Sequence, residues 1–184
     1  FPAGTPEFSI EHGAAVLHIA PNHWCDTPYF WQDDLRPHFR PGQMQGLDCA
    51  LGRRGNVPHL FCTHSPFLGA PCAQTGLAEP FHSPPDTFTA PFFDLARRHP
   101  NLRCVLSAHS HVNMHLEQAG VHYVTVSAFV ETPFEFKLIE AGPELLRMTT
   151  HALYVGVDFK PEYEFSRTFV QGREPDRQFE QTFV

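Results

Sequence analysis

Two short stretches carry side chains whose type and spacing suit metal chemistry: Phe-Cys-Thr-His-Ser-Pro at 61–66 and Leu-Ser-Ala-His-Ser-His-Val-Asn at 106–113. Each lies where an apolar run gives way to loop residues, and ligand sites in open α/β sheets gather at such carboxyl ends of strands. His109 and His111 are separated by one residue. In extended backbone, residues i and i+2 project from the same side, so both imidazoles can reach one site. His64 ends the other run. Three imidazoles converging at strand ends suit zinc, iron or manganese. The plain alternative is a set of surface histidines.

The elements that must position these residues follow from the pattern around them. Residues 8–19 read as a hairpin turning at Gly13, with Phe8 and Ile10 on one face of the first arm. An aromatic-rich loop follows from Pro21 to about Arg40. Met44, Leu47 and Leu51 share one helical face, with Pro41 at the start of that helix, Gly55 past its end, and Arg53 and Arg54 in its last turn. The run into His64 reads as a strand. A loop from Ser65 to about Asp86 holds five prolines and has no secondary structure of its own; loops of that length are often functional. A second helix is expected from about Thr89 to Arg98, then a strand into His109. From His111 onward, successive antiparallel strands turn at Ala119-Gly120 and Gly142-Pro143. Alternation of strands and helices in the middle favours an α/β sheet with an antiparallel addition. Residues 1–157 are expected to form the domain, and 158–184, without a clear period, an arm or a tail.

The 184 residues suffice for one domain with a core, and the 42% apolar content is that of a globular protein. Thirteen basic against 20 acidic residues give a net charge of −7. No basic patch is evident, which disfavours nucleic acid as a partner. No apolar stretch approaches the roughly 18 residues of a membrane span. Five cysteines without a CxxC pair indicate neither a disulfide framework nor a zinc ribbon, and free thiols suggest a cytoplasmic location. With Phe1 first, the start is expected to be a processing or internal boundary.

In order and spacing, the segment from Phe8 to about Met148 resembles the second half of the calcineurin-like metallophosphoesterases. Those proteins run through a strand into H-x-P, a helix, a strand into G-H-x-H, and a small antiparallel meander. Here Thr-His-Ser-Pro stands at 63–66 and Ala-His-Ser-His-Val-Asn at 108–113. The resemblance implies a layered α/β sandwich, of which this chain would be the C-terminal half, with a mixed sheet and an antiparallel meander. It implies a phosphate-ester hydrolase in which two divalent ions (manganese, iron or zinc) activate a bridging hydroxide. By position, His64 and His109 would bind one ion and His111 the other. Ala108 replaces the usual glycine. The family's D-x-H, G-D-x-x-D and G-N-H-D/E motifs are absent, and Asp26, Asp33 and Asp34 do not stand in matching contexts. No catalytic residue is assigned. Zero or one ion is expected in this chain alone, which on this reading is inactive in isolation. The alternative is a non-catalytic binding or interaction module of the same fold.

Asn113 could orient a ligand through a hydrogen bond, and His82, in the proline-rich loop, could meet substrate; for both, the reading preferred on sequence is an ordinary polar residue. His115 and His122 are expected to pair across a hairpin in a structural role, and Cys62 to pack. Trp24 and Trp31 belong either to a substrate wall or to the core. A half-domain would expose an apolar face and a strand edge, so self-association or association with a missing N-terminal half is expected.

Overall fold

The computed structural model describes residues 7–24, 36–153 and 162–183. Strands β1 (Phe8–His12) and β2 (Ala15–Ile19) form the expected hairpin, with Gly13 turning at φ +51°, where a side chain would be strained. Helix α1 (Pro41–Leu51) leads to β3 (His59–Cys62), and α3 (Asp86–Arg98) leads to β4 (Leu102–Ser107). A hairpin of β5 (Met114–Gln118) and β6 (Val121–Thr125) closes the first sheet. Its order is β1-β2-β3-β4-β6-β5, with β2, β3, β4 and β6 parallel and the edge strands β1 and β5 antiparallel. The chain then leaves this sheet. Strands β7 (Glu135–Ala141), β8 (Leu145–Ala152) and β9 (Gln178–Thr182) form a separate antiparallel sheet.

The alternation of the central strands explains the layers. Phe61 and Val105 face the helices, where they meet Leu47 and Leu51 of α1 and Phe92 and Leu95 of α3. Their neighbours Leu60 and Cys104 face the other way, onto Leu146 and Met148 of β8. Successive residues of a strand point to opposite faces, so four residues of two strands bind one layer on each side. The helix-side core is strongly aromatic: Phe67 stacks on Phe92 with ring centroids 3.8 Å apart and on Phe88 at 4.9 Å. The fold is thus the expected mixed α/β sandwich.

Four expectations need correction. Helix α1 ends at Leu51, so Arg53 and Arg54 lie beyond its last turn; Arg54, at φ 49°, reaches back to Glu11 and to the Gly13 carbonyl. Helix α3 starts at Asp86 rather than near Thr89, with Pro91 inside it. The proline-rich loop contains a short helix, α2 (Cys72–Thr75), closed off by an Ala70–Phe81 bridge. The strands after His111 are not one meander, because β6 inserts between β4 and β5 and the later strands form their own sheet. Residues 162–183 carry α4 (Glu174–Arg177) and strand β9, paired to β8.

Candidate functional site

His64 follows β3 and His109 follows β4, two adjacent parallel strands, so the topology sets them side by side. Their ring centroids are 5.2 Å apart in an edge-on arrangement. Backbone bonds lock the two strand ends together: Thr63 N donates to Leu106 O at 3.0 Å, and Ala108 N to His64 O at 3.0 Å. Asn22, buried after β2, accepts from Ser65 N at 2.8 Å and so fixes the turn after His64. Nothing in the sequence pattern had singled out Asn22.

The H-x-H turn is built differently from the extended backbone assumed for it. His109 and His111 have φ of 54° and 52°, both left-handed, and a tight turn between them brings Ser110 N to Ala108 O at 2.5 Å. Ala108 is not among the left-handed residues, so its Cβ is tolerated at the position before His109. Positive φ for non-glycine residues is uncommon and clusters at functional turns. His82, at φ 53°, is a third such histidine. Its ring lies 5.5 Å from that of His109 and stacks on Phe81 at 4.0 Å. Trp24 completes the cluster, 4.6 Å from His109 and 6.4 Å from His64 between centroids. Burial first, then the neighbouring His64, His82 and His111, hold the His109 pKa below its ordinary value. His109 therefore favours its neutral imidazole, the form that ligates metals. Trp31 lies outside the described residues.

His111 is exposed and its Nδ1 bonds Glu131 at 2.5 Å. Glu131 carried no signal in sequence. Asn113 sits at the centre of a buried network that touches no imidazole directly. Its Nδ2 donates to Glu135 at 2.7 Å and to Gln171 O at 3.2 Å, and its Oδ1 accepts from Ser127 N at 3.2 Å. Gly172 packs so closely that a Cβ there would lie 2.6 Å from the Asn113 carbonyl. The effect is to hold the segment after His111 against the second sheet. His115 and His122 bond each other at 2.8 Å and stack under Phe179, in keeping with packing.

Beside the histidines, a cleft of about 580 Å³ runs between the two sheets, lined among others by Leu106, Val124, Val126, Phe136 and Ile139. Among the described residues, no group of three or more His, Cys, Asp and Glu side chains is close enough to hold a metal ion. The donor set does not by itself fit a two-metal centre: two imidazoles meet, a third pairs with Glu131, and no cluster of carboxylates joins them. Asp26, Asp33 and Asp34 lie outside the described residues. No described helix is long and apolar enough to cross a membrane.

No family model and no curated protein matches the sequence. Among solved structures, the fold is similar to that of a dimetal phosphatase from Danio rerio, with a TM-score of 0.50 and 20% identity over 63% of this chain. The match spans 36% of the length of that phosphatase. At that identity the likeness speaks to the fold: this chain has a dimetal-phosphatase-like α/β architecture.

Proposed function

We propose that this chain forms the histidine-bearing part of a metal-dependent phosphate mono- or diester hydrolase, whose carboxylate ligands come from outside the described residues. The observation that carries this reading is the meeting of His64 and His109 at the carboxyl ends of adjacent parallel strands, 5.2 Å between rings. Three neutral imidazoles cannot balance two divalent cations, which is why acidic residues must be added before such a centre forms. Manganese, iron and zinc are the ions suited to these donors. The described cysteines Cys49, Cys62, Cys72 and Cys104 are free, in keeping with a reducing, cytoplasmic setting.

The test is metal content per chain after chelation and refilling with manganese or zinc, followed by hydrolysis of p-nitrophenyl phosphate and its bis ester. One ion or none is expected for residues 1–184, with any bound ion lost in His64→Ala and His109→Ala. Turnover is expected only in the longest natural polypeptide that contains this segment. Metal-replete polypeptide of that kind with no turnover of either ester would sink the hydrolase reading. It would favour the second one, a binding module, which the packing of His109 on Trp24 and the pairing of His111 with Glu131 also suit.

A further inference from the structure

Strand β8 outruns its partner β9. Their pairing ends where Thr149 meets Gln178, and residues 150–152 run on past it. Residues of this end of β8 and of the segment leading into β9 line a pocket of about 320 Å³. It shares no lining residue with the cleft beside the histidines. Gln171 is part of its wall. The backbone of Gln171 is fixed, because its carbonyl accepts from Arg177 Nη1 at 2.7 Å and from Asn113 Nδ2 at 3.2 Å. The residue is 4% exposed, and its Oε1 is buried with no hydrogen-bond partner among the described residues. A buried acceptor left unpaired costs stability, so a native fold keeps one where something else supplies the donor.

The donors nearest this pocket are engaged. Tyr163 Oη donates to the Gln74 carbonyl at 2.7 Å, and Thr150 Oγ1 to the Arg177 carbonyl at 2.7 Å. Arg177 gives Nη1 to Glu135 at 3.0 Å as well as to Gln171, and Nη2 to the other Glu135 oxygen. The neighbouring cations are committed too: Arg173 to Asp176 at 2.7 Å, and Lys137 to Thr150 Oγ1 and the Asp176 carbonyl. What stays open is acceptor capacity. Beside Gln171 Oε1 stands exposed Glu174, which takes a long 3.4 Å bond from Gln178 Nε2 and has no ion pair among the described residues. Of the two charges in the lining, that of Arg177 is cancelled by buried Glu135 and that of Glu174 is not. A ligand that completes this set brings N–H donors and a positive charge. Guanidinium suits it better than ammonium. Its flat fork of N–H groups serves a carbonyl and a carboxylate at once, and its face packs on an aromatic ring, which Tyr163 supplies.

We propose that this pocket binds a guanidinium group, with its N–H groups shared between Gln171 Oε1 and the Glu174 carboxylate and with Tyr163 as its wall. A lone water would satisfy Gln171 but not the charge of Glu174, and would fill a small part of the space. An anion would meet Glu174 and two ion pairs already closed. The group comes from a free guanidine or from an arginine side chain, which present the same fork. The site involves neither the strand-end histidines nor a metal, so it stands apart from the hydrolase reading.

The probe is butylguanidinium, titrated in chelating buffer into the 184-residue chain and read by the side-chain amide NMR signals of Gln171 and Gln178. Saturable shifts are expected at millimolar ligand, as suits so small a molecule. Butylurea, its neutral counterpart, should bind about fivefold more weakly. Glu174→Gln should weaken binding about threefold and Gln171→Leu about tenfold. Gln171→Leu should also raise the urea midpoint of the ligand-free chain, because it removes the unpaired acceptor. No saturation, or unchanged affinity in Gln171→Leu, overturns the site and leaves Gln171 to water. A lower midpoint in Gln171→Leu overturns it as well, since the amide would then be satisfied within the chain. Equal binding of butylurea, or tighter binding of butyrate, overturns the guanidinium. N-acetylarginine amide binding as tightly as butylguanidinium would assign the site to an arginine side chain, and its exclusion to a free guanidine; both results support the group.

Discussion

Asn113 donates to the Glu135 carboxylate at 2.7 Å, and both side chains are fully buried. Glu135 also takes Arg177 at 2.5 Å, and Arg177 donates to the Gln171 carbonyl at 2.7 Å. The turn after the H-x-H histidines, the first strand of the second sheet and the C-terminal segment are therefore tied at one charged point. A buried carboxylate is tolerated there because each oxygen is bonded and the charge is paired.

Removing one partner should be far worse than removing both. Arg177→Ala strands a buried carboxylate and is expected to cost about 3–5 kcal/mol. Adding Glu135→Leu to an Arg177→Met background should recover most of that loss. Urea denaturation of the two single variants and the double variant measures the coupling. Additive losses would show that the pair does not act as a unit.

A hydrogen-bonded chain that runs inward from β1 predicts acid sensitivity. Ser9 Oγ bonds His18 Nδ1 at 2.7 Å, His18 Nε2 meets His59 Nδ1 at 2.8 Å, and His59 Nε2 reaches the Arg54 carbonyl at 3.2 Å. The carbonyl only accepts, so His59 is protonated on Nε2, His18 donates to His59 Nδ1, and Ser9 donates to His18; both rings are neutral. Burial, then His59, pulls His18 down to about 4. The unfolded chain therefore binds more protons than the folded one between that value and an ordinary 6.5. The stability from a neutral His18 is complete above 6.5 and is lost as pH falls toward 4. The urea midpoint should fall across that window, less steeply in His18→Gln. Parallel curves for the two proteins would remove His18 as the cause.

The parallel core and both crossover helices were legible because apolar runs such as 59–62 and 102–107 and the face of Leu47 and Leu51 leave few arrangements open. The place of His64 and His109 followed from those runs ending in histidine. What stayed hidden depended on tertiary contact. The left-handed turn at His109 and His111 has no glycine to announce it. Asn22, Glu131 and Ser127 are ordinary loop residues until the fold sets them beside the histidines or the cleft. Strand β9 shows weak polar alternation, and only its pairing with β8 makes it a strand.

Asn22 should matter to His64 without touching it. Asn22→Ala leaves the Ser65 amide buried with no acceptor, a loss of about 1–3 kcal/mol. The His64 ring signals should broaden or double in the NMR spectrum as the turn loosens, and Asn22→Asp, which keeps the acceptor, should restore them. Unchanged His64 signals in Asn22→Ala would mean that the strand-end bonds at Thr63 and Ala108 suffice.

Lys137 gives a second window of the same sign, on the alkaline side. Its ammonium is buried between Thr150 Oγ1 and the Asp176 carbonyl, and burial, then Arg177, lowers its pKa to about 7 despite Glu135 and Asp176 nearby. Below that value folding carries the full penalty of a buried cation. Between about 7 and the usual 10.5 the folded chain releases its proton while the unfolded chain keeps it, so stability rises with pH, by at most about 1.4 kcal/mol per unit. Lys137→Met removes the titration and loses only two hydrogen bonds. Wild type should therefore gain on Lys137→Met as pH climbs from 7 to 10 in paired thermal or urea unfolding. A gap that stays constant over that range would mean Lys137 keeps its charge in the folded protein, held by Glu135 and Asp176 more firmly than burial opposes it.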